Sequence, residues 1–202
     1  ATEAMTEMLA AEYRQLGVQD KLAEHPEMRM AASVTVFSRY YGQVWAVGDT
    51  PFMLDGKVYD LRKKEEEEAA GMRAAELEKQ LKKGVPFERL RTEDPGRARI
   101  IPWLLRYLQY QNKSVKPYGY GVIDGFYVPQ EFIQVTEAQE AKEIVLASDG
   151  YPFLRESLKA AEKLLHEILR EDPMLFRRYQ ATKGLKPRNE SFDDRSYVRF
   201  CV

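Results

Sequence analysis

The chain has 202 residues, 44% of them hydrophobic, with 31 Lys plus Arg against 32 Asp plus Glu. This is enough apolar material for one domain with a sizeable core, and a near-zero net charge excludes a strong overall field drawing it to nucleic acid or an anionic membrane. No apolar run approaches the roughly 18 residues of a membrane-spanning helix, the start lacks the basic-then-apolar order of a signal peptide, and a single cysteine, Cys201, excludes an internal disulfide, as suits a cytoplasmic protein.

Thr2 to Leu16 reads as a helix, with Met5, Met8, Leu9 and Tyr13 at three-to-four spacing and Gly17 as its stop. A short helix or loop follows over Asp20 to Glu27. Ala32 to Ser38 is rich in β-branched residues and reads as a strand, Tyr40-Tyr41-Gly42 as a turn, and Val44 to Val47 as a second strand. Phe52 to Leu54 and Val58-Tyr59 flank Asp55-Gly56, a pair that tolerates the positive φ of a type I′ turn, so the expectation is a meander of three or four antiparallel strands.

Arg62 to Gly84 changes character. Glu78 and Lys82 lie one helical turn apart, only Met72, Leu77 and Leu81 supply an apolar edge, and the spacing predicts a solvated, lid-like helix within a charged insertion over 62–99. Pro86 to Arg99 reads as irregular, and Pro102 as the opening of a short helix over Trp103 to Gln111. Gly119 to Asp124 and Glu131 to Val135 read as strands. Lys142 to Ser148 is apolar on both faces, the mark of a strand between two layers. From Pro152 a helix is predicted along the stripe Leu154, Leu158, Ala161, Leu165, Ile168, and Asp172-Pro173 reads as the cap and first residue of another, ending near Gly184. Ser196 to Val202 closes the chain as a half-buried strand. Helices, a meander, further strands, paired helices and a final strand point to an α+β protein with helices packed outside two sheets.

Four aspartates sit at strand ends: Asp49 in VGDT, Asp149 in ASDG, and Asp193-Asp194 in FDDRSY. Carboxylates there can converge on one rim of a sheet sandwich, and all-oxygen sites suit Mg²⁺ or Mn²⁺. The same residue type before Gly also serves as turn or cap, which is the reading for Asp55 and Asp124. His166 has no zinc-ligand partner at helical spacing, Cys201 reads as a packed strand residue with no neighbouring base, and GxSxG, P-loop and GxGxxG motifs are all missing.

Three segments together resemble the metal-dependent protein phosphatase (PPM, type 2C) family: AVGDTPFMLDGKVYDL at 46–61, LASDGYPFL at 146–154, and SFDDRSYVRF at 191–200. Their order and spacing match the family's GDS-like turn, its strand ending in LASDG, and its S-x-D-N-x-T segment, with Asp194 in the Asn place and Ser196 in the Thr place. The resemblance spans residues 30–202. It implies a four-layer αββα sandwich of two antiparallel sheets flanked by helices, with a binuclear Mn²⁺/Mg²⁺ site at one rim. Asp149 and Asp193 match metal-ligand aspartates, and Asp49 matches the aspartate that approaches an additional metal in some members. The implied reaction is hydrolysis of a phosphoprotein or small phosphorylated substrate by water activated at the metal, without nucleic acid or membrane as partners.

The family's early Asp and its Asp-Gly-rich strand pair have no counterpart before Ala32, and Tyr118 to Gly121 stands where the family has FGD. The expectation is therefore a single domain over 1–202 lacking its N-terminal strands, or a divergent member. Two ions are expected only if the further ligands are supplied. A catalytically incomplete pseudophosphatase, acting as a binding or regulatory module, is the second reading. An N-terminal-nucleophile hydrolase is a third, opposed by Ala1 at the first position.

Overall fold

A computed structural model describes residues 1–202. Helix α1 (Thr2–Gln15) and the short α2 (Gln19–Glu24) lead into strands β1 (Val34–Ser38), β2 (Gln43–Val47), β3 (Phe52–Leu54) and β4 (Lys57–Tyr59). Helices α3 (Lys64–Lys82), α4 (Phe87–Glu93) and α5 (Pro95–Tyr107) follow, then β5 (Gln134–Glu137), β6 (Glu143–Ala147), α6 (Leu158–Glu171) and β7 (Tyr197–Cys201). The strands form two antiparallel sheets, β1-β2-β5 and β4-β3-β6-β7. The protein is α+β.

Strand alternation decides what each face meets. Val44 and Ala46 of β2 share one core with Phe52, Leu54 and Ile144 of the other sheet, so the two sheets pack face to face. The alternate residues look outward: Met53, Val145 and Ala147 pack under Ala161, Leu165 and Ile168 of α6, while Val47 meets Met5 and Leu9 of α1. Burying each of these larger side chains contributes about 1.5–3 kcal/mol. As its apolar run predicts, β6 lies between two layers, Ile144 buried against the other sheet and Val145 under α6; within its own sheet it sits between β3 and β7.

The expected meander is divided. Its first hairpin belongs to one sheet and its second to the other, because the chain crosses between sheets at 48–51. The Asp55-Gly56 turn is as expected, with φ of 45° and 83° at its two residues.

Four other readings need correction. Pro86 to Arg99 is helical rather than irregular: Asp94 adopts a left-handed conformation between α4 and α5, caps α5 by accepting from the Arg97 N–H at 2.8 Å, and Pro95 takes the first helical position, leaving Pro102 inside the helix. Gly119 to Asp124 is not a strand but makes single bridges, Ala32 to Ile123 and Gln111 to Tyr120; the Asn112 side chain satisfies both backbone groups of Val122. The helix after β6 starts at Leu158 and not at Pro152, because Ser157 is extended (φ −137°, ψ 147°) and caps the helix by accepting the Ala160 N–H. Asp172-Pro173 opens a turn instead of a helix. One Asp172 carboxylate oxygen accepts three backbone N–H groups, and Leu175 at φ 48° lets it enter one core while Met174 and Phe176 enter another.

Helix α3 is no loosely resting lid. Ala69, Ala70, Ala74 and Leu77 are buried, and with Leu90, Met174 and Phe176 the last two form a separate core. Between them lies Arg73, fully buried. Its guanidinium donates to both oxygens of Asp94 at 2.8–3.2 Å and to the carbonyls of Ala181 (2.9 Å) and Leu175 (3.3 Å). One buried cation thus joins α3 to the cap of α5 and to the 175–181 loop. Arg73→Met leaves the Asp94 carboxylate without that cation and two buried carbonyls without a donor, and is expected to lower the unfolding free energy by about 3–5 kcal/mol. Urea denaturation measures this; a loss below about 1 kcal/mol would show the clamp to be dispensable.

Candidate functional site

Asp49, Asp149 and Asp193, drawn from three separate strand ends, line one cavity of about 240 Å³. Two glycines explain how their loops approach. Gly48 has φ +90°, and a Cβ there would sit 2.1 Å from the Ser33 hydroxyl that donates to Asp49. A Cβ on Gly150 would sit 2.3 Å from the Asp194 carbonyl. The Asp-Gly after β6 is thus pressed against the Asp193-Asp194 loop, and two hydrogen bonds between Ser148 and Ser196 hold that contact. Glycine is required at 48 for conformation and space, at 150 for space.

The three carboxylates differ in what neutralises them. Asp49 is buried; burial alone would push its carboxyl up, but the Lys63 ammonium at 3.0 Å and the Ser33 hydroxyl outweigh that and hold it below the usual range. Asp193 pairs with Lys183 at 2.6 Å and accepts from the Asp194 N–H. Asp149 forms neither an ion pair nor a side-chain hydrogen bond. Burial, and then the negative charges of Asp49 and Asp193, push its carboxyl upward against the pull of Lys183.

A fourth carboxylate was not foreseen. Glu66, in the first turn of α3, lines the same cavity. Its burial, with the charges of Asp49, Asp149 and Glu65 added and Lys63 opposing, pushes it up to about 7. The solvated reading of this helix start gives no sign of this; the tertiary placement of α3 buries Glu65 and brings Glu66 and Glu67 to the cavity. Lys63, Lys183 and Arg62 were also missed. Arg62 is held by Asp60 at 2.8 Å, with its guanidinium 5.3 Å from the Tyr179 ring centre. Tyr179 and Phe153 meet edge-to-face at 5.6 Å and form an aromatic wall.

No group of three or more His, Cys, Asp or Glu side chains converges closely enough to hold an ion by itself. Carboxylate oxygens are the donor type that hard divalent cations prefer, with water and substrate oxygens able to supply further positions.

The remaining sequence candidates fall elsewhere. Asp194 is exposed. Asp55 holds the backbone N–H groups of Lys142 and Glu143, as a turn residue does. Asp124 caps a turn through the Phe126 N–H but is also fully buried and paired with Arg29 at 3.0 Å. His166 lies on the exposed side of α6, as expected, whereas Cys201 is exposed rather than packed.

Compared with protein-family models, with curated proteins and with solved structures, the chain finds no match in any of the three.

The Glu66 carboxyl binds its proton more tightly in the folded protein, at about 7, than at its ordinary value of 4.5. Its contribution to stability is therefore present at acid pH and is lost as pH rises through about 7. Glu66→Gln, which cannot ionise, is expected to gain stability over the parent between about pH 5 and about pH 8, measured by urea unfolding at both values. An identical difference at the two pH values would show that this carboxyl does not titrate in that window.

Proposed function

We propose that this cavity is the active centre of a metal-dependent phosphomonoester hydrolase resembling the serine/threonine protein phosphatases of the PPM family. One observation carries the reading. Three strand-end aspartates and Glu66 face a single cavity, and Asp149 has no cation of its own although its carboxyl is destabilised by its neighbours' charge. A divalent cation would relieve that repulsion beyond what the pull of Lys183 achieves.

Asp149 and Asp193 would hold Mn²⁺ or Mg²⁺, with Asp49 close by for an additional ion. When bound, the ion supplies Lewis acidity toward a phosphoryl oxygen and makes a water nucleophilic at neutral pH. The chain's own residues do the rest. Lys183 and Arg62 offer positive charge for the phosphate oxygens, and Arg62 is pre-set by Asp60 and Tyr179. The aromatic wall of Phe153 and Tyr179 limits the approach of water. The substrate is a phosphoprotein or small phosphorylated molecule, and the single cysteine suits a reducing cytoplasm.

A specific feature favours the second reading, a pseudophosphatase serving as a binding or regulatory module. Lys63 and Lys183 already neutralise Asp49 and Asp193, so part of the charge that a metal would balance is met by tethered ammonium groups.

Turnover of p-nitrophenyl phosphate with Mn²⁺ separates the two. The hydrolase reading expects Mn²⁺-dependent activity, abolished by chelation and reduced at least about a hundredfold in Asp149→Asn. Activity that survives both chelation and that substitution would eliminate the metal mechanism. If Mn²⁺ produces no turnover and calorimetry detects no Mn²⁺ binding, the module reading stands.

A further inference from the structure

Helix α5 is apolar on two opposite faces. Its inner face presents Gly96, Ile100 and Tyr107 to α3 and the neighbouring loops, all buried. The residues half a turn away, Ala98, Ile101, Pro102 and Leu105, follow the i, i+3, i+4, i+7 spacing of a helix-packing stripe but face solvent, with Ile101 44% and Leu105 51% exposed. A surface helix ordinarily places polar residues there, and a helix that is apolar all round is normally covered on both sides.

Along the chain, the charge on and after this helix is one-sided. From Pro95 to Ile123 there are five cations, Arg97, Arg99, Arg106, Lys113 and Lys116, and no carboxylate, in a chain whose net charge is −1. Arg97 is turned to the Thr182 carbonyl and Arg99 is paired with Glu76. Arg106, Lys113 and Lys116 are exposed and take part in no ion pair. Arg106 adjoins Leu105, and Tyr118 packs on Tyr107 and Tyr110 and so brings the 113–116 loop to the end of α5; free positive charge therefore lies at the C-terminal end of the stripe.

We propose that the outer face of α5 docks an acidic amphipathic helix of a partner protein, its leucine-type anchors seated on Ile101, Pro102 and Leu105 and its carboxylates meeting Arg106 and the 113–116 loop. Two helical turns of stripe suit one partner helix lying along α5, and the cations select its charge. The site is separate from the carboxylate cavity, and the inference does not depend on the hydrolase reading.

A fluorescein-labelled synthetic peptide tests it: an amphipathic helix with leucines at i, i+3, i+4 and i+7 and glutamates on its flanks, beside a twin with lysines in place of the glutamates. Fluorescence anisotropy should show saturable binding of the glutamate peptide that weakens with salt, and no binding of the twin. Leu105→Ser and Arg106→Glu should each weaken it at least about tenfold. Both side chains are exposed, so circular dichroism and the thermal midpoint should not change. Absence of saturable binding, or equal binding of both peptides, overturns the proposal. Capture by phosphatidylserine vesicles that Leu105→Ser abolishes overturns it in favour of a lipid surface. Self-association on sedimentation that the same substitution abolishes overturns it in favour of a second copy of the chain.

Discussion

The buried guanidinium of Arg73 is the interaction on which the geometry of the cavity depends. A fully buried cation is tolerable only when its donors are met, and here Asp94 and two loop carbonyls meet them. Those partners belong to different parts of the chain. Through Asp94 the cation sets where α5 begins; through Leu175 and Ala181 it sets the path of the loop that carries Tyr179 and Lys183 into the cavity. The helix that bears Arg73 also carries Glu66 in its first turn, with Lys63 immediately before it. One side chain therefore holds two walls of the cavity at a fixed separation, while the strand ends supply the floor.

Within that frame, the distribution of countercharge decides the chemistry. Burying a carboxylate costs free energy unless a cation or hydrogen-bond donors replace its water. Asp49 and Asp193 each have an ammonium partner, and Asp49 has a hydroxyl donor besides. Asp149 has neither, and the charges of Asp49, Asp149 and Glu65 bear on Glu66 against the opposing pull of Lys63. The fold thus maintains an electrostatic cost at one spot, which is where perturbed groups and function tend to coincide. The same arrangement explains why α3 is more than a cover: it contributes a carboxylate to the site, with the Lys63 cation just before it, and its acidic start is part of the charge balance.

The sequence made the strands and their turns legible where local chemistry was decisive. The Asp-Gly turn after β3, the two-faced apolar run of β6 and the stripe of α6 are all periodic or conformational signals, and the three aspartates at strand ends do meet in one cavity. What could not be read was set by distant contacts. Asp172-Pro173 has the form of a helix start, but Met174, Leu175 and Phe176 are claimed by two different cores and no helix can serve both. Asp94 looks like one more charged residue in a polar stretch until its partner across 21 positions, Arg73, is known. Glu66 is one of four consecutive glutamates, and nothing local tells which of them are buried or reach the cavity. The division of the expected meander between two sheets likewise follows from the crossing at 48–51, a tertiary decision that leaves no periodic trace.

Net charge hid a further feature, because near-neutrality of the whole says nothing about its parts. The acid-free stretch from Pro95 to Ile123 is visible in the sequence, but its significance depends on which side of α5 faces out. That orientation has a steric cause. A Cβ on Gly96 would come within 2.7 Å of the Arg73 carbonyl, so α5 can lie this close to α3 only along its glycine face. Asp94 at the cap is held by the guanidinium of the same Arg73, which fixes the helix about its own axis as well. With the inner face so determined, Ile101 and Leu105 cannot rotate into the core, and the apolar stripe stays at the surface. Its exposure is a consequence of the clamp that builds the cavity, not of a poorly packed helix.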